Sequence, residues 1–158
     1  MTLKLSSAAF AHQGEIPSRF TCEGEDVSPA LGWSGIPPGT KSLVLIVEDP
    51  DAPDPAAPRM VWDHWLLYNL PADAAGLAEA VRPAELPAGT LEGVNSWGRT
   101  GYRGPCPPIG RHRYFHKLYA LGERLPDLGG PEKAELLRSM EGKVIDQAAL
   151  IGTYQKRR

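Results

Sequence analysis

The sequence is short of cysteine, of long hydrophobic runs and of net charge, and each shortage excludes a class of protein. Its longest uninterrupted aliphatic stretch is Leu43–Val47, whereas a membrane-spanning helix needs about 20 apolar residues. The N-terminus lacks the basic region and the long apolar core of a signal peptide. We therefore expect a cytoplasmic protein with no membrane span.

Charge is nearly balanced, with 17 Lys and Arg against 19 Asp and Glu and a formal net charge of −2. Proteins that bind nucleic acid through bulk charge carry a basic excess, so we expect no nucleic-acid partner. A chain of 158 residues is long enough to bury its own core. Residues 1–158 are therefore predicted to form a single domain.

Only two cysteines are present, Cys22 and Cys106. No second Cys or His stands two to four residues from either one, so the spacing of a zinc site is missing. In a reducing cytoplasm both are expected to be thiols. We predict no metal and no cofactor.

Glycine and proline are in excess, with 17 and 16 residues, about a fifth of the sequence. Proline removes a backbone donor and glycine weakens helices. The excess predicts short strands joined by elaborate loops rather than long helices.

Several segments have strand character. Ser42–Glu48 is an apolar run between turn sequences, which predicts a strand that is buried on both faces. The other strand candidates are Met60–Leu70, Arg113–Leu121, the weaker Ala149–Gln155, and the short segments Leu3–Leu5 and Ala30–Trp33.

One helix is predicted near the C-terminus, where Pro131 suits the first helical position. Four apolar residues then recur at roughly helical spacing, and Gly142 is able to divide the segment. These residues are Leu137, Met140, Val144 and Ala148. Asp73–Val81 is a short second helix candidate, capped by its Asp. Because strands outnumber helices and do not alternate with them, we predict a mainly β fold and not a parallel α/β sheet.

Two polar segments lie after or within these strands. Asp49-Pro50-Asp51-Ala52-Pro53 directly follows the buried strand, and its rigid prolines fix where the carboxylates point. The alternative is a turn in which each Asp caps its own backbone. Within Met60–Leu70, His64 shares a face with Trp62 and Leu66. His64 is either a functional residue or a satisfied core or surface residue, and Trp62 fits either the core or the wall of a pocket.

A third segment, Gly101–Tyr114, concentrates glycine and proline around Cys106. Successive exposed N–H groups in such a loop can hold an anion. His112 and Tyr114 are two residues apart at the start of a strand and project to the same face, where both offer hydrogen bonds to a phosphate or carboxylate. The alternative is a structural hairpin connection with a His–Tyr surface pair.

Together these segments resemble the phosphatidylethanolamine-binding proteins, in particular the bacterial branch often called Raf kinase inhibitor-like. The resemblance rests on Asp49–Pro53, on Trp62–His64 and on the Gly-Pro-Cys-Pro-Pro run that leads into His112-Arg113-Tyr114. It extends from about Phe10 to Tyr154. It implies a central antiparallel sheet, a second smaller sheet and a few peripheral helices. It also implies a small pocket for anions or phosphorylated head groups such as phosphoethanolamine.

The resemblance places the pocket among these motifs, with Trp62 at its rim. The predicted ligand-binding residues are Asp49, Asp51, Pro53, Trp62, His64, Gly104, Pro105, Cys106, His112 and Tyr114. In this prediction both histidines, Tyr114 and backbone N–H groups near Gly104 hold a phosphate, while Asp49 orients one histidine and keeps it basic. Affinity for phosphate should then fall as pH rises from about 6 to 8.

Animal members of the family continue into a C-terminal helix that covers part of the pocket mouth, whereas this sequence ends at Arg158. We expect a more open pocket, or one covered by a second subunit in a homodimer. The difference argues against the lipid affinity and the kinase-inhibitor role of the animal members. The resemblance also brings Cys22 near Cys106, although a disulfide is not expected in a reducing cytoplasm.

Two other functions stay open beside a small-ligand binding protein, which is the leading hypothesis. The His and Asp residues suit an acid/base or metal-assisted hydrolase, but the chain lacks the Gly-x-Ser-x-Gly and His-Glu-x-x-His motifs. The pocket loops also suit a regulator that docks on a protein kinase or protease, as some relatives do. Of these, enzymatic activity is the less favoured.

Overall fold

The computed structural model describes residues 2–157, which form two antiparallel sheets with one α-helix, α1, at Lys133–Met140. Short 3₁₀ turns lie at Ser18–Phe20 and Pro83–Glu85. The strands are β1 (Lys4–Ser6), β2 (Leu31–Ser34), β3 (Ser42–Ala52), β4 (Met60–Pro71), β5 (Gly76–Leu77), β6 (Leu91–Glu92), β7 (His112–Leu121) and β8 (Val144–Tyr154). The mainly β fold predicted from the sequence is confirmed.

The large sheet has the strand order β6-β4-β3-β7-β8, and the small sheet has the order β1-β2-β5. Each predicted long strand is present, with different bounds: β3 and β4 end later than predicted, β7 begins one residue earlier, and β8 begins at Val144 and ends one residue earlier. Within residues 2–157, no helix has the length and apolar character that crossing a bilayer requires.

The central strand β3 is buried on both faces, as its unbroken apolar run predicts. Its alternate residues Leu43, Leu45 and Val47 pack into a large cluster that also contains Trp33 of the small sheet. The intervening Val44 and Ile46 pack into a second cluster beneath α1. Since neighbouring side chains of a strand point to opposite faces, a strand between two cores has no polar face and reads as continuous hydrophobicity.

The C-terminal helix is shorter than its apolar spacing predicts. Helix α1 ends at Met140, and Gly142 then adopts a positive φ of 76°. Val144 and Ala148, which the sequence analysis assigned to the helix, belong to β8 and pair with β7. A glycine in left-handed conformation just past the last turn is a common helix stop, and pairing with β7 then determines the conformation of the following residues.

The short helix predicted at Asp73–Val81 is wrong. Residues 71–74 form a turn, and β5 then pairs with β2 through Gly76 opposite Gly32 and Leu77 opposite Leu31. A Cβ atom on Gly76 would lie 2.3 Å from the Leu31 carbonyl oxygen. Close backbone pairing across the small sheet therefore overrides the local helical preference.

A bulge in β4 determines which side chains face the candidate site. Val47 of β3 is opposite Trp65, but the next residue, Glu48, is opposite Asp63, so His64 is an extra residue in the ladder. An extra residue breaks the alternation of faces. His64 consequently contacts Tyr114, whereas Leu66 packs beneath α1. The prediction that His64 shares a face with Leu66 is therefore wrong.

Asn69, near the end of β4, is held in place by two hydrogen bonds to the backbone of Leu125, and a substitution can test their contribution to stability. Its backbone has a φ of 55°, its side-chain amide donates to the Leu125 carbonyl at 2.7 Å, and its side-chain oxygen accepts from the Leu125 N–H at 2.8 Å. Asn69→Ala leaves both backbone groups unpaired and keeps the unfavourable φ, so we expect a loss of about 2–4 kcal/mol in the free energy of unfolding.

Urea denaturation measures this loss, and Asn69→Gly is the matched control. Glycine removes the same two hydrogen bonds but adopts a positive φ without strain, so its loss should be smaller than that of alanine. A loss below about 0.5 kcal/mol for Asn69→Ala, the ordinary range of surface substitutions, would contradict this account.

Candidate functional site

Four of the predicted site residues meet at one end of the large sheet. Asp49 lies near the end of β3, His64 at the bulge of β4, and His112 and Tyr114 at the start of β7. The ring centroid of Tyr114 is 5.3 Å from that of His64 and 6.3 Å from that of His112. Antiparallel pairing of β3 with both neighbours brings these residues together from segments that are far apart in the sequence.

The centre of the cluster is a buried hydrogen bond between Asp49 and His112. The Nδ1 atom of His112 is 2.6 Å from Asp49 Oδ2, while its Nε2 is 2.9 Å from the carbonyl oxygen of Ile109 and 3.1 Å from that of Pro53. His112 is completely buried. Pro53 thus reaches the site through its carbonyl group.

Hydrogen-bond chemistry determines the charge of this pair. Carbonyl oxygens only accept, so Nε2 of His112 must carry a proton. The remaining contact then contains one further proton, either on Nδ1 beside an ionised Asp49 or on Asp49 beside a neutral ring. The pair has no net charge in either case, and burial raises the pKa of Asp49. His112 therefore has no free N–H for a phosphate, which corrects the role expected from the sequence.

Asp51 is engaged within the protein. Its carboxylate accepts hydrogen bonds from the Arg113 backbone N–H at 2.8 Å and from the Arg113 guanidinium at 2.9 and 3.0 Å. These bonds lower the pKa of Asp51. Its own N–H donates to Asp49 Oδ1 at 2.8 Å. Asp51 thus fastens the end of β3 to the start of β7 and orients Asp49.

His64 is buried and neutral. Its Nδ1 is 2.6 Å from the Arg103 carbonyl oxygen, so Nδ1 carries the proton, and the Arg103 N–H donates in turn to the His64 carbonyl at 3.2 Å. Burial lowers the pKa of His64 to about 4. At neutral pH the unprotonated Nε2 can only accept a hydrogen bond. The expected loss of phosphate affinity between pH 6 and 8 therefore has no basis in this ring.

Tyr114 has a buried hydroxyl group that the described residues leave without a well-formed hydrogen bond. Only 1% of the residue is exposed, and within residues 2–157 its hydroxyl oxygen forms no hydrogen bond of normal geometry. Burial and the neighbouring Asp49 raise the pKa of this phenol, so it remains protonated. A buried hydroxyl without a partner is unusual in a folded protein.

The loop at residues 101–106, called here the site loop, is attached to the segment at residues 18–26. The Gly104 N–H donates to Asp26 Oδ1 at 2.8 Å and is therefore not free for an anion, contrary to the sequence prediction. A Cβ atom on Gly104 would lie 2.0 Å from the Phe20 carbonyl oxygen, so only glycine allows this approach. The carbonyl of Pro105 accepts from the Cys22 N–H at 3.1 Å.

Cys22 and Cys106 form a disulfide. The expectation that the two residues lie close together is confirmed, and the expectation that both remain thiols is wrong. The redox state of a reducing compartment predicted thiols, whereas the pairing follows from the contact between the site loop and the segment at residues 18–26.

Two further residues of the site had not been singled out from the sequence. The ring of Trp97 lies 5.1 Å from that of His64 and 5.5 Å from that of the half-buried Trp62. The exposed guanidinium of Arg103 lies 5.5 Å above the Trp97 ring. Asn95 shapes the turn that presents Trp97, since its side-chain oxygen accepts the Trp97 N–H at 3.0 Å. In the sequence, an Asn three residues before a glycine was the one pattern that indicated this turn.

The described part of the chain contains no group of three or more His, Cys, Asp or Glu side chains arranged to hold a metal ion.

Comparison with known proteins agrees with this architecture. The family model for phosphatidylethanolamine-binding proteins matches residues 6–155. The chain belongs to the phosphatidylethanolamine-binding protein family.

Three relatives match this chain over nearly the whole length of both chains. A UPF0098 protein of Methanothermobacter thermautotrophicus is 49% identical over 98% of this chain and 99% of its own. The crystal structure of the homologue CT736 from Chlamydia trachomatis superposes with a TM-score of 0.90 at 41% identity, covering 98% of each chain. E. coli YbcL superposes with a TM-score of 0.88 at 29% identity, covering 99% of this chain and 100% of its own.

The protonation state of His64 is directly testable. We expect long-range ¹H–¹⁵N correlation NMR to show a neutral ring protonated at Nδ1, with resonances that do not move between pH 8 and 5.5, because burial opposes the charged form. The urea-unfolded protein is the control, since its histidines titrate near pH 6.5. A His64 signal that titrates near pH 6.5 in the folded protein would contradict the buried neutral state.

Proposed function

We propose that this protein binds a small anionic ligand, of the class of phosphate or a phosphorylated head group, at the cluster of Asp49, His64 and Tyr114. The observation that carries the proposal is the buried Tyr114 hydroxyl, which forms no hydrogen bond of normal geometry within residues 2–157. Leaving a buried polar group unpaired costs about 1–3 kcal/mol. A ligand oxygen that accepts the phenolic proton removes this cost, which favours an acceptor-rich ligand.

The charges around the cluster support an anion. The Asp49–His112 pair is neutral, and the Asp51 carboxylate is paired with Arg113. Arg103, beside His64, forms no ion pair with any residue in the described range 2–157. Guanidinium groups bind phosphate through several N–H donors at once. Arg103 therefore supplies the positive charge that the sequence analysis had assigned to the histidines.

His64 adds a condition on the ligand. Its Nε2 accepts a hydrogen bond, because Nδ1 donates to the Arg103 carbonyl. A ligand that contacts this atom has to bring its own donor, such as the P–OH of a hydrogen phosphate or the N–H of an ammonium group. Phosphoethanolamine carries acceptor oxygens together with such a donor, so the site suits it better than a fully ionised, donor-free anion.

The same geometry favours binding over acid/base hydrolysis. An Asp–His pair activates a nucleophile when the second ring nitrogen faces the group to be deprotonated. Here Nε2 of His112 faces the carbonyl oxygens of Pro53 and Ile109. Because that nitrogen already donates within the protein, it is not available as a general base.

Tyr114→Phe tests the proposal without a large structural change. Isothermal titration calorimetry with inorganic phosphate and with O-phosphoethanolamine should show roughly tenfold weaker binding, the equivalent of one lost hydrogen bond. The free energy of unfolding should not fall, because the lost hydroxyl forms no hydrogen bond of normal geometry within residues 2–157.

Tyr119→Phe is the matched control, since Tyr119 is half-buried on the opposite face of β7. It should leave the affinity for both probes unchanged. Wild-type protein that binds neither probe, or a Tyr114→Phe variant with undiminished affinity, would overturn the proposal.

A further inference from the structure

The Cys22–Cys106 disulfide lies at the surface, with both cysteines exposed to solvent. Structural disulfides are usually protected, whereas a thiolate can reach an exposed bond and exchange with it. The two residues are 84 positions apart in the sequence. The bond therefore joins two distant parts of the chain at a place that a reductant can approach.

The disulfide is one of four links between the site loop and the segment at residues 18–26. The other three are hydrogen bonds: Cys22 N–H to the Pro105 carbonyl at 3.1 Å, Gly104 N–H to Asp26 Oδ1 at 2.8 Å, and Tyr102 hydroxyl to the Phe20 carbonyl at 2.8 Å. Of the four links, only the disulfide is covalent.

The site loop in turn holds the ligand-binding groups. The Arg103 carbonyl accepts from Nδ1 of His64 and so determines which ring nitrogen is left to accept from a ligand. The Arg103 guanidinium lies above Trp97. Displacement of the loop at Arg103 therefore changes both the acceptor and the cation of the site at once.

We propose that the Cys22–Cys106 disulfide is a reducible clasp, which a dithiol reductant opens and whose opening lowers the affinity of the site for its ligand. The change in affinity rests on the function proposed above, whereas the loosening of the loop does not. The clasp makes ligand binding responsive to the thiol–disulfide balance around the protein.

The exchange reaction is balanced in two steps. A thiolate of the dithiol attacks one Sγ atom, the S–S bond breaks, and the other cysteine leaves as a thiolate that takes up a proton. The second thiol of the reductant then attacks the mixed disulfide and releases the first cysteine. Two electrons pass to the protein, which gains two thiols, and the reductant becomes a cyclic disulfide.

Opening is expected to be partial rather than complete. Phe20 and Thr21 are buried, and Glu23 accepts hydrogen bonds from the Tyr154 hydroxyl at 2.5 Å and the Arg157 N–H at 2.9 Å, so the segment stays anchored. The three hydrogen bonds between the segment and the site loop, of about 1 kcal/mol each, also remain. The backbone of Asp26 acts in the opposite direction and favours opening, because its φ of 57° is unfavourable for a residue with a side chain. Reduction should therefore loosen the contact between the segment at residues 18–26 and the site loop without unfolding the protein.

The test compares native protein before and after treatment with dithiothreitol. We expect that the disulfide is reduced without denaturant and that hydrogen exchange at the amides of Arg103 and Gly104 becomes faster. The affinity for inorganic phosphate should fall about 3- to 10-fold, a loss no larger than that of one charge-assisted hydrogen bond. The variant with Cys22→Ser and Cys106→Ser together should reproduce the reduced protein and should not respond to dithiothreitol.

The proposed clasp would be wrong if dithiothreitol reduces the disulfide only in the presence of denaturant. It would also be wrong if hydrogen-exchange rates at Arg103 and Gly104 do not change on reduction. Faster exchange with an unchanged phosphate affinity would overturn its effect on binding. If the oxidised protein does not bind phosphate, the proposed function fails, and the exchange measurement still decides whether the disulfide holds the loop.

Discussion

A single buried contact, between Asp49 and His112, fixes the geometry on which the candidate site depends. It joins the end of β3 to the start of β7 through a distance of 2.6 Å between His112 Nδ1 and Asp49 Oδ2. The other ring nitrogen, Nε2, donates to the carbonyl groups of Pro53 and Ile109. Because both ring nitrogens are used inside the protein, the flanking loops cannot shift without breaking a hydrogen bond to the buried His112 ring. A rigid base of this kind keeps the neighbouring Tyr114 and His64 in place.

Because the Asp49–His112 contact uses both ring nitrogens of His112, contacts to a ligand have to come from other groups. His112 has no free donor, Asp51 is paired with Arg113, and the Gly104 N–H is bonded to Asp26. In the proposed function the ligand therefore contacts the Tyr114 hydroxyl, the acceptor nitrogen of His64 and the guanidinium of Arg103. One donor, one acceptor and one peripheral cation are the reason for proposing a ligand that carries acceptor oxygens together with a proton of its own.

Local sequence patterns predicted the strands well, but they did not predict the bulge in β4 or the start of β8. The apolar run of β3 was recognisable because burial between two cores leaves no polar face. The bulge at His64 left no comparable mark, since one extra residue in a ladder is visible only once the partner strand is known. The β8 residues Val144 and Ala148 have a spacing that also fits a helix, and pairing with β7 decided between the two.

The sequence by itself determined the mainly β fold, the three polar segments that build the site, and the common face of His112 and Tyr114. Each of these follows from alternation or turn chemistry within a few neighbouring residues. Tertiary structure alone decided the protonation of the histidines, the disulfide, and the places of Trp97 and Arg103. The physical reason is that these properties depend on partners remote in the chain, 63 residues away for His112 and Asp49 and 39 for His64 and Arg103, and a local pattern cannot specify which distant donor meets which acceptor.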